Sequence, residues 1–304
     1  MKKIDQVNLN IFFGYRCNYS CDNCTSGSDS VRTTELDPDF DKTIASVEKL
    51  AQMFTISSMI TLIGGEPFLY WDERIVPLVL ECNKHFPNTR INVFTNGQLI
   101  SKYKEKIIDL CNQVDNFSLS ITRHLIAFPG ATVAKKWQEN INNFINDSRI
   151  VKIHNDHYHL KNNINASFYF FANNSWKLFY KRLPDKTIKP FATNNPEQSM
   201  MHGCPGNVCS CVFEEKLYKC PTLAALPGHL KSLGQDNDAD WEKYLNYPAV
   251  DIFNPDQAQY QMFVDTYGKP TTWCDMCNAS PKNIVHWETR TYDKVFKIQS
   301  DQSL

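Results

Sequence analysis

Three cysteines fall on one short stretch, Cys17-Asn-Tyr-Ser-Cys21-Asp-Asn-Cys24. Three thiolates on one loop can hold a four-iron cubane and leave one iron without a protein ligand, and an open coordination position is what metal catalysis requires. Zinc is the competing reading. Cys21-x-x-Cys24 with Cys274-x-x-Cys277 would make a four-cysteine site, but it would leave Cys17 unused. Six further cysteines, Cys204, Cys209, Cys211, Cys220, Cys274 and Cys277, crowd one C-terminal region and exceed what a core needs. There too zinc competes, because C-x2-C is a generic metal clip. Cys82 and Cys111 stand alone among apolar residues of helical pattern and are read as core filling.

The elements that must position these thiols read as alternating strands and helices. Val7, Leu9 and Ile11 alternate with Asn8 and Asn10 and lead into Phe12-Phe13, a first strand. Phe40, Ile44, Val47, Leu50, Ala51 and Phe54 share one face of a helix begun near Asp37-Pro38. Residues 59–63 form a short strand ending at Gly64-Gly65, and a helix starts around Asp72 with Pro77 tolerated near its first turn. Residues 91–95 and 117–121 are strands, 135–144 is helical, and 166–172 is an aromatic-rich strand. This order predicts an α/β fold with a parallel sheet, open or closed into a barrel. The loops after the first four strands carry the cysteine run, Gly64-Gly65-Glu66-Pro67, Thr95-Asn96-Gly97 and Ser120-Ile121-Thr122. Chemistry in such folds gathers at the C-terminal strand ends, so all four are expected at one mouth.

Composition narrows the function classes. The 304 residues are 42% apolar, enough for a sizeable core, and Lys+Arg 32 against Asp+Glu 33 leaves a formal charge of −1. That balance creates no field for a polyanion, so nucleic-acid polymers are not expected partners. The opening MKKIDQVNLN has no long apolar run, and no stretch approaches membrane-spanning length, so a cytoplasmic protein without a membrane partner is expected. Clustered cysteines in a reducing compartment are more often metal ligands or catalytic groups than disulfides. Between 183 and 206, Pro184, Pro190, Pro196 and Pro205 interrupt a polar stretch that reads as a linker. A smaller cysteine-rich region follows, with strand-like alternation over 283–298.

At the first cysteine cluster the sequence resembles the radical S-adenosylmethionine (SAM) superfamily, whose signature C-x3-C-x2-C follows the first strand of a partial (β/α)6 barrel. The order of the cysteine triplet, Gly64-Gly65-Glu66-Pro67 and Thr95-Asn96-Gly97 carries the resemblance. It implies a core domain over 1–195, with Cys17, Cys21 and Cys24 binding a catalytic 4Fe-4S cluster. Gly64, Gly65, Glu66 and Pro67 would receive the methionyl ammonium of SAM. The glycines permit close approach, and Glu66 or backbone carbonyls accept the hydrogen bonds. Thr95, Asn96, Ser118 and Ser120 fall where such enzymes contact the ribose and the methionine carboxylate. Asn23 stands where the family usually has an aromatic residue near adenine, with Tyr19 as the candidate to compensate. The chemistry implied is reductive cleavage of SAM, with the electron from a flavodoxin- or ferredoxin-type donor. The 5′-deoxyadenosyl radical then abstracts hydrogen from a substrate C–H.

The second cluster looks like the auxiliary-cluster extension called SPASM or, in its short form, twitch, over 196–304. Cys204-x10-Glu215-x4-Cys220 matches its spacing, with Glu215 in place of glycine, and the run after Cys277 is truncated. One auxiliary 4Fe-4S cluster is implied, held by Cys204, Cys220, Cys274 and Cys277, with Cys209 or Cys211 as substitutes. A hairpin over 213–218 would bring Cys220 back beside Cys204–Cys211. The surplus Cys209 and Cys211 are either buried small side chains or a catalytic thiol that returns hydrogen to a substrate radical, as in an epimerase. A first strand close to residue 5 favours a small polar metabolite over a peptide substrate. His154, His157 and His159 read as a solvated loop, and Arg123-His124 as a candidate contact to substrate or SAM.

Overall fold

Along several segments of the chain, large apolar residues alternate with Asn, Ser and Thr, a period of two that sorts side chains onto opposite faces of a sheet. The computed structural model describes residues 3–19, 21, 24–28, 31, 33–122, 132–171, 175–176, 178–201, 204, 209–279 and 285–286. In it β1 (Ile4–Phe12), β2 (Phe54–Ile63), β3 (Arg90–Thr95), β4 (Phe117–Thr122) and β7 (Asn163–Phe171) lie side by side in parallel. A sixth parallel strand, β11 (Cys209–Phe213), joins the other side of β1. Antiparallel β6 (His157–Leu160) and β5 (Ile150–His154) extend one edge, and β12 (Lys216–Tyr218) and β13 (Val250–Asp251) the other. The order is β13-β12-β11-β1-β2-β3-β4-β7-β6-β5. Two short ribbons pair β8 (Ser175–Trp176) with β14 (Val285–His286) and β9 (Lys181–Arg182) with β10 (Ile188–Lys189).

Parallel neighbours need crossovers, and helices supply them. They are α1 (Phe40–Met53), α2 (Val76–His85), α3 (Lys104–Gln113) and α4 (Thr132–Ile145). Asp39 caps α1 by accepting from the Lys42 N–H at 3.1 Å. A π-helical turn over Trp71–Ile75 precedes α2, and Pro77 sits in the first turn of α2, where its missing N–H costs nothing. The C-terminal region adds α5 (Pro196–Met201), α6 (Pro221–Ser232), α7 (Glu242–Leu245) and α8 (Gln257–Thr266).

The two faces of the sheet differ in chemistry. On the helix-covered face, Ile11, Leu62, Val93, Leu119 and Phe168 form one register row of buried apolar side chains. Phe144 of α4 packs edge-on against Phe168 with ring centroids 5.1 Å apart. On the opposite face, Cys211, Asn10, Thr61, Asn92, Ser118, Ser167 and His159 are aligned across seven strands. Parallel sheets covered on both sides are usually apolar throughout. Here one face is a row of small polar groups, which is where a polar ligand can be received.

Sequence expectation and structure differ at two places, while the helical pattern read around Cys111 is present as α3. The loop expected at His154–His159 is instead a hairpin, because residues 157–160 pair with β7 and residues 150–154 pair with them. The core sheet also draws β11 from beyond residue 195, since Cys209–Val212 lies in register with Asn8–Ile11. The hairpin expected over 213–218 is present as β11–β12, and Glu214 in its turn takes a left-handed φ of 55°. Of the alternation read over 283–298, only β14 lies within the described residues.

The division of faces predicts two unequal substitutions. Leu119→Ala, at a fully buried position, should cost about 2–5 kcal/mol of unfolding free energy. Phe94→Ala, on the other face and 38% exposed, should cost clearly less. Urea unfolding of both variants measures this, and an equal loss would contradict the assignment of faces.

Candidate active site

The segment entering the cysteine loop and the end of β2 touch backbone to backbone. Gly65 N–H donates to the Gly14 carbonyl at 2.8 Å, and Glu66 N–H to the Arg16 carbonyl at 2.9 Å. A Cβ on Gly64 would lie 2.4 Å from the Gly14 oxygen, and one on Gly65 would lie 2.0 Å from the Arg16 oxygen. Both contacts are with backbone, which cannot swing aside, so only glycine fits. The close approach these glycines make is to the segment that leads from β1 into Cys17.

Glu66 closes the next contact. Its carboxylate is buried and accepts from Thr95 Oγ at 2.7 Å, Asn96 N–H at 2.9 Å and Phe68 N–H at 3.3 Å. Glu66 therefore ties the end of β2 to the end of β3. Burial pushes the carboxyl up to about 7 against the pull of those three donors. Gly97 turns the chain with φ 75°, and a Cβ there would strike Ile121 at 2.8 Å. Asn96 Nδ2 donates to Asn18 Oδ1 at 2.7 Å, and the Tyr19 hydroxyl donates to Gln98 Oε1 at 3.0 Å. The cysteine loop, the Gly-Gly-Glu-Pro turn and the Thr-Asn-Gly turn are thus one interlocked unit. Tyr19 is 1% exposed. Its ring is part of the core, which corrects the expectation that it offers a face to adenine.

A second set of residues, absent from the sequence expectations, holds the approach to Cys17. Asp37 Oδ1 accepts from the Tyr15 N–H at 2.6 Å and its carboxylate from the Tyr70 hydroxyl at 2.8 Å, while Tyr70 accepts from the Arg16 N–H at 2.7 Å. Arg74 donates to the Phe13 and Pro38 carbonyls at 3.0 and 2.8 Å. Burial raises the Asp37 carboxyl, and hydrogen bonds from Tyr15 and Tyr70 and the charges of Arg74 and Arg16 pull it back. The only sequence signal was Asp37-Pro38, read as a helix start.

Cys17, Cys21 and Cys24 are each half-buried, and the Tyr19 N–H points at Cys17 Sγ at 3.4 Å. Half-buried thiols with an N–H aimed at sulfur suit an anionic iron–sulfur centre. Ser118 and Ser120 both donate to Asn92 Oδ1, at 3.0 and 2.9 Å, on the polar face of the sheet. Asn92 Nδ2 is buried with no partner among the described residues. Asn23, Arg123 and His124 lie outside the described residues.

In the C-terminal region, Cys204, Cys220, Cys274 and Cys277 line one cavity together with Lys219 and Trp273. Lys219 is buried, and its ammonium donates to the Thr266 and Lys269 carbonyls at 2.7 and 2.5 Å. Burial lowers it, and the neighbouring Cys274, Cys220 and Cys204 oppose that shift. Burial also pushes the Cys220 thiol up to about 12. The Thr271 N–H approaches Cys274 Sγ at 3.4 Å. Buried Asp275, which accepts from Lys243 and Tyr244 at 2.7 and 2.9 Å, fixes the turn between the last two cysteines. Among the described residues, no three His, Cys, Asp or Glu side chains converge on a point where they could share one metal ion. Four thiols around one cavity with a buried cation are a set that could hold a thiolate-bound metal centre.

Cys211 is fully buried among Phe12, Tyr15, Val31, Ala224 and Ala225, away from that cavity. This enclosure answers the expectation of a thiol facing the mouth: the packing of Phe12 and Tyr15 seals it from solvent. The Cys209 side chain lies outside the described residues, although its backbone belongs to β11. Cys82 and Cys111 are fully buried, as expected of core filling, and burial raises both thiols, Cys111 to about 12. Helix α6 links the two cysteine regions. Cys220 is its N-cap, the Tyr15 hydroxyl donates to the Ala225 carbonyl at 2.9 Å, and a Cβ on Gly228 would lie 2.4 Å from the Tyr15 oxygen.

Residues 11–123 match the family model of the Radical SAM superfamily. No curated protein sequence matches the chain. Among solved structures, the chain is similar to native anSMEcpe with bound AdoMet, at 20% identity over 45% of this chain and 40% of that one, with a TM-score of 0.35. It is also similar to native anSMEcpe with bound AdoMet and Cp18Cys peptide, at 18% identity over 46% and 40%, with a TM-score of 0.34. The match thus spans about two fifths of the length of those proteins. No helix among the described residues is long and apolar enough to cross a membrane.

The Glu66 environment has a consequence for stability. An ordinary glutamate titrates near 4.5, and this one is raised to about 7. Between those values the folded state binds more protons than the unfolded state, so the group's contribution is largest at low pH and is lost as pH rises to neutrality. Glu66→Gln should flatten that part of the stability curve when urea unfolding is followed from about pH 5 to about pH 7.5. A slope equal to that of the native chain would contradict the burial of the carboxyl.

Proposed function

We propose, from the Radical SAM superfamily match and the interlocked loops inside it, that the chain is a radical SAM enzyme with one auxiliary iron–sulfur cluster. The observation that carries this reading is the joining of the cysteine loop, Gly64-Gly65-Glu66 and Thr95-Asn96-Gly97 through Glu66 and two backbone contacts. Cys17, Cys21 and Cys24 would hold a 4Fe-4S cluster and leave a coordination position for SAM. When bound, that pair supplies a 5′-deoxyadenosyl radical for hydrogen abstraction.

The chain's own residues supply position and exclusion. Asp37, Tyr70 and Arg74 hold the approach to Cys17 rigid. Glu66 fixes the spacing between the carbonyls of the Gly-Gly turn and the Thr95–Gly97 turn. Ser118 and Ser120 place polar groups on the sheet face toward the methionine carboxylate and ribose. The auxiliary ligands are Cys204, Cys220, Cys274 and Cys277, with Lys219 offsetting their negative charge, in a twitch-like region. The partial-barrel architecture, the flavodoxin- or ferredoxin-type electron donor, a small polar substrate and a cytoplasmic location belong to this same proposal. The burial of Cys211 favours oxidation assisted by the auxiliary cluster over hydrogen return from that thiol.

The anaerobically reconstituted chain should bind about eight irons and form 5′-deoxyadenosine from SAM under strong reductant. Cys17→Ala, Cys21→Ala and Cys24→Ala should each abolish that product and keep the second cluster's iron. Cys204→Ala and Cys220→Ala should do the reverse and lose only the second cluster. Zinc in place of iron, or undiminished 5′-deoxyadenosine from a Cys17→Ala chain, would overturn the reading.

A further inference from the structure

On the sheet face that carries Ser118 and Ser120, the adjoining register row runs Phe94, Ser120, Tyr169, His157 and His154 across β3, β4, β7, β6 and β5. It lies one residue before Thr95, where β3 ends. Tyr169 is the centre of a continuous set of contacts. The His157 ring stacks on it with centroids 4.3 Å apart, and Arg90 reaches it from the start of β3, donating to its hydroxyl at 3.1 Å. His154 packs edge-on against His157 at 5.4 Å.

The patch holds one guanidinium, Arg90, with Asp156 as the acid in the adjoining turn. Among the described residues Arg90 makes no ion pair, and both Arg90 and His154 are exposed. The groups facing His157 are His154 on β5, His159 on its own strand, Arg90 on β3 and Tyr169 on β7, with Asp156 in the turn between β5 and β6. Burial and then the charges of His154, Arg90 and His159 lower the His157 imidazole, so it favours its neutral form. Its Nε2 is buried with no hydrogen-bond partner among the described residues. A fixed guanidinium, the His157 imidazole with its Nε2 unpartnered among the described residues, and a half-exposed Phe94 together form a surface for a small molecule with one negatively charged end.

We propose that Arg90, His154 and His157, set around Tyr169 on the polar sheet face, anchor a carboxylate or phosphate group of the substrate. The inference rests on the proposed radical SAM reading, because the substrate C–H that loses hydrogen would then lie over this sheet face. An anion here raises the proton affinity of His157, so binding strengthens as pH falls.

The test is calorimetry on the full chain, isolated anaerobically with its iron, titrated with sulfate and separately with acetate. At least one anion should bind saturably at about pH 6 and about tenfold more weakly at about pH 8. Arg90→Gln and His157→Gln should each weaken that binding about tenfold or more. Stronger sulfate binding assigns a phosphate-bearing substrate, and stronger acetate binding a carboxylate. Absence of saturable binding by either anion, or binding that Arg90→Gln leaves unchanged, overturns the proposal. The titration involves no SAM turnover, so a chain that binds the anion but forms no 5′-deoxyadenosine overturns the enzyme reading and leaves the anion site standing.

Discussion

Between the end of β2 and the segment that enters the cysteine loop there is no room for a side chain. Gly64 and Gly65 lie so close to residues 14–16 that an added Cβ would sit 2.0–2.4 Å from carbonyl oxygens. This contact sets the height of Cys17 above the sheet. Once it is made, Glu66 is placed where its carboxylate can bridge to Thr95 and Asn96, and Asn96 in turn reaches Asn18. Each link needs the one before it. A displaced Gly65 would leave a buried carboxylate without its partners, which is costly in a low-dielectric interior.

The sheet provides the platform. Its apolar face, filled by Ile, Leu, Val and Phe, secures the helices and makes the strand ends stiff. Its other face keeps Asn10, Asn92, Ser118 and Ser167 in one buried row. Burying such groups stabilises nothing unless they find partners. Asn92 accepts two serine hydroxyls and still presents an amide without a partner among the described residues. A face so built has a use other than packing. Helix α6 then couples this platform to the second cysteine group, since Tyr15 holds its middle and Cys220 begins it.

Much of this was legible in the residues alone. The period-two alternation at Val7–Ile11 and the helical spacing from Phe40 to Phe54 gave β1 and α1 nearly to the residue. The resemblance to an auxiliary-cluster extension implied Cys204, Cys220, Cys274 and Cys277, four thiols that the fold gathers around one cavity. Other features were hidden because they depend on tertiary contact. Glu66 carries no mark in sequence that its carboxylate turns inward. Asp37 is far along the chain from Tyr70 and Arg74 and meets them only once α1 and the π-helical turn are packed. The His154–His159 hairpin was obscured by its polar, histidine-rich composition, since its strands are defined by pairing with β7 rather than by apolar alternation. For Cys211 the residues left a buried side chain and a catalytic thiol both open, and only the ring packing of Phe12 and Tyr15 shows it enclosed.

The central claim is that the loop held by Gly64, Gly65 and Glu66 carries an iron–sulfur centre with a position open to SAM. Electron paramagnetic resonance of the reduced, iron-loaded chain tests it most directly. The account predicts two cluster signals, one of which changes its g-values when SAM is added while the other does not. That response should vanish in Cys17→Ala and persist in Cys220→Ala. A spectrum indifferent to SAM, or one whose SAM response survives Cys17→Ala, would contradict it.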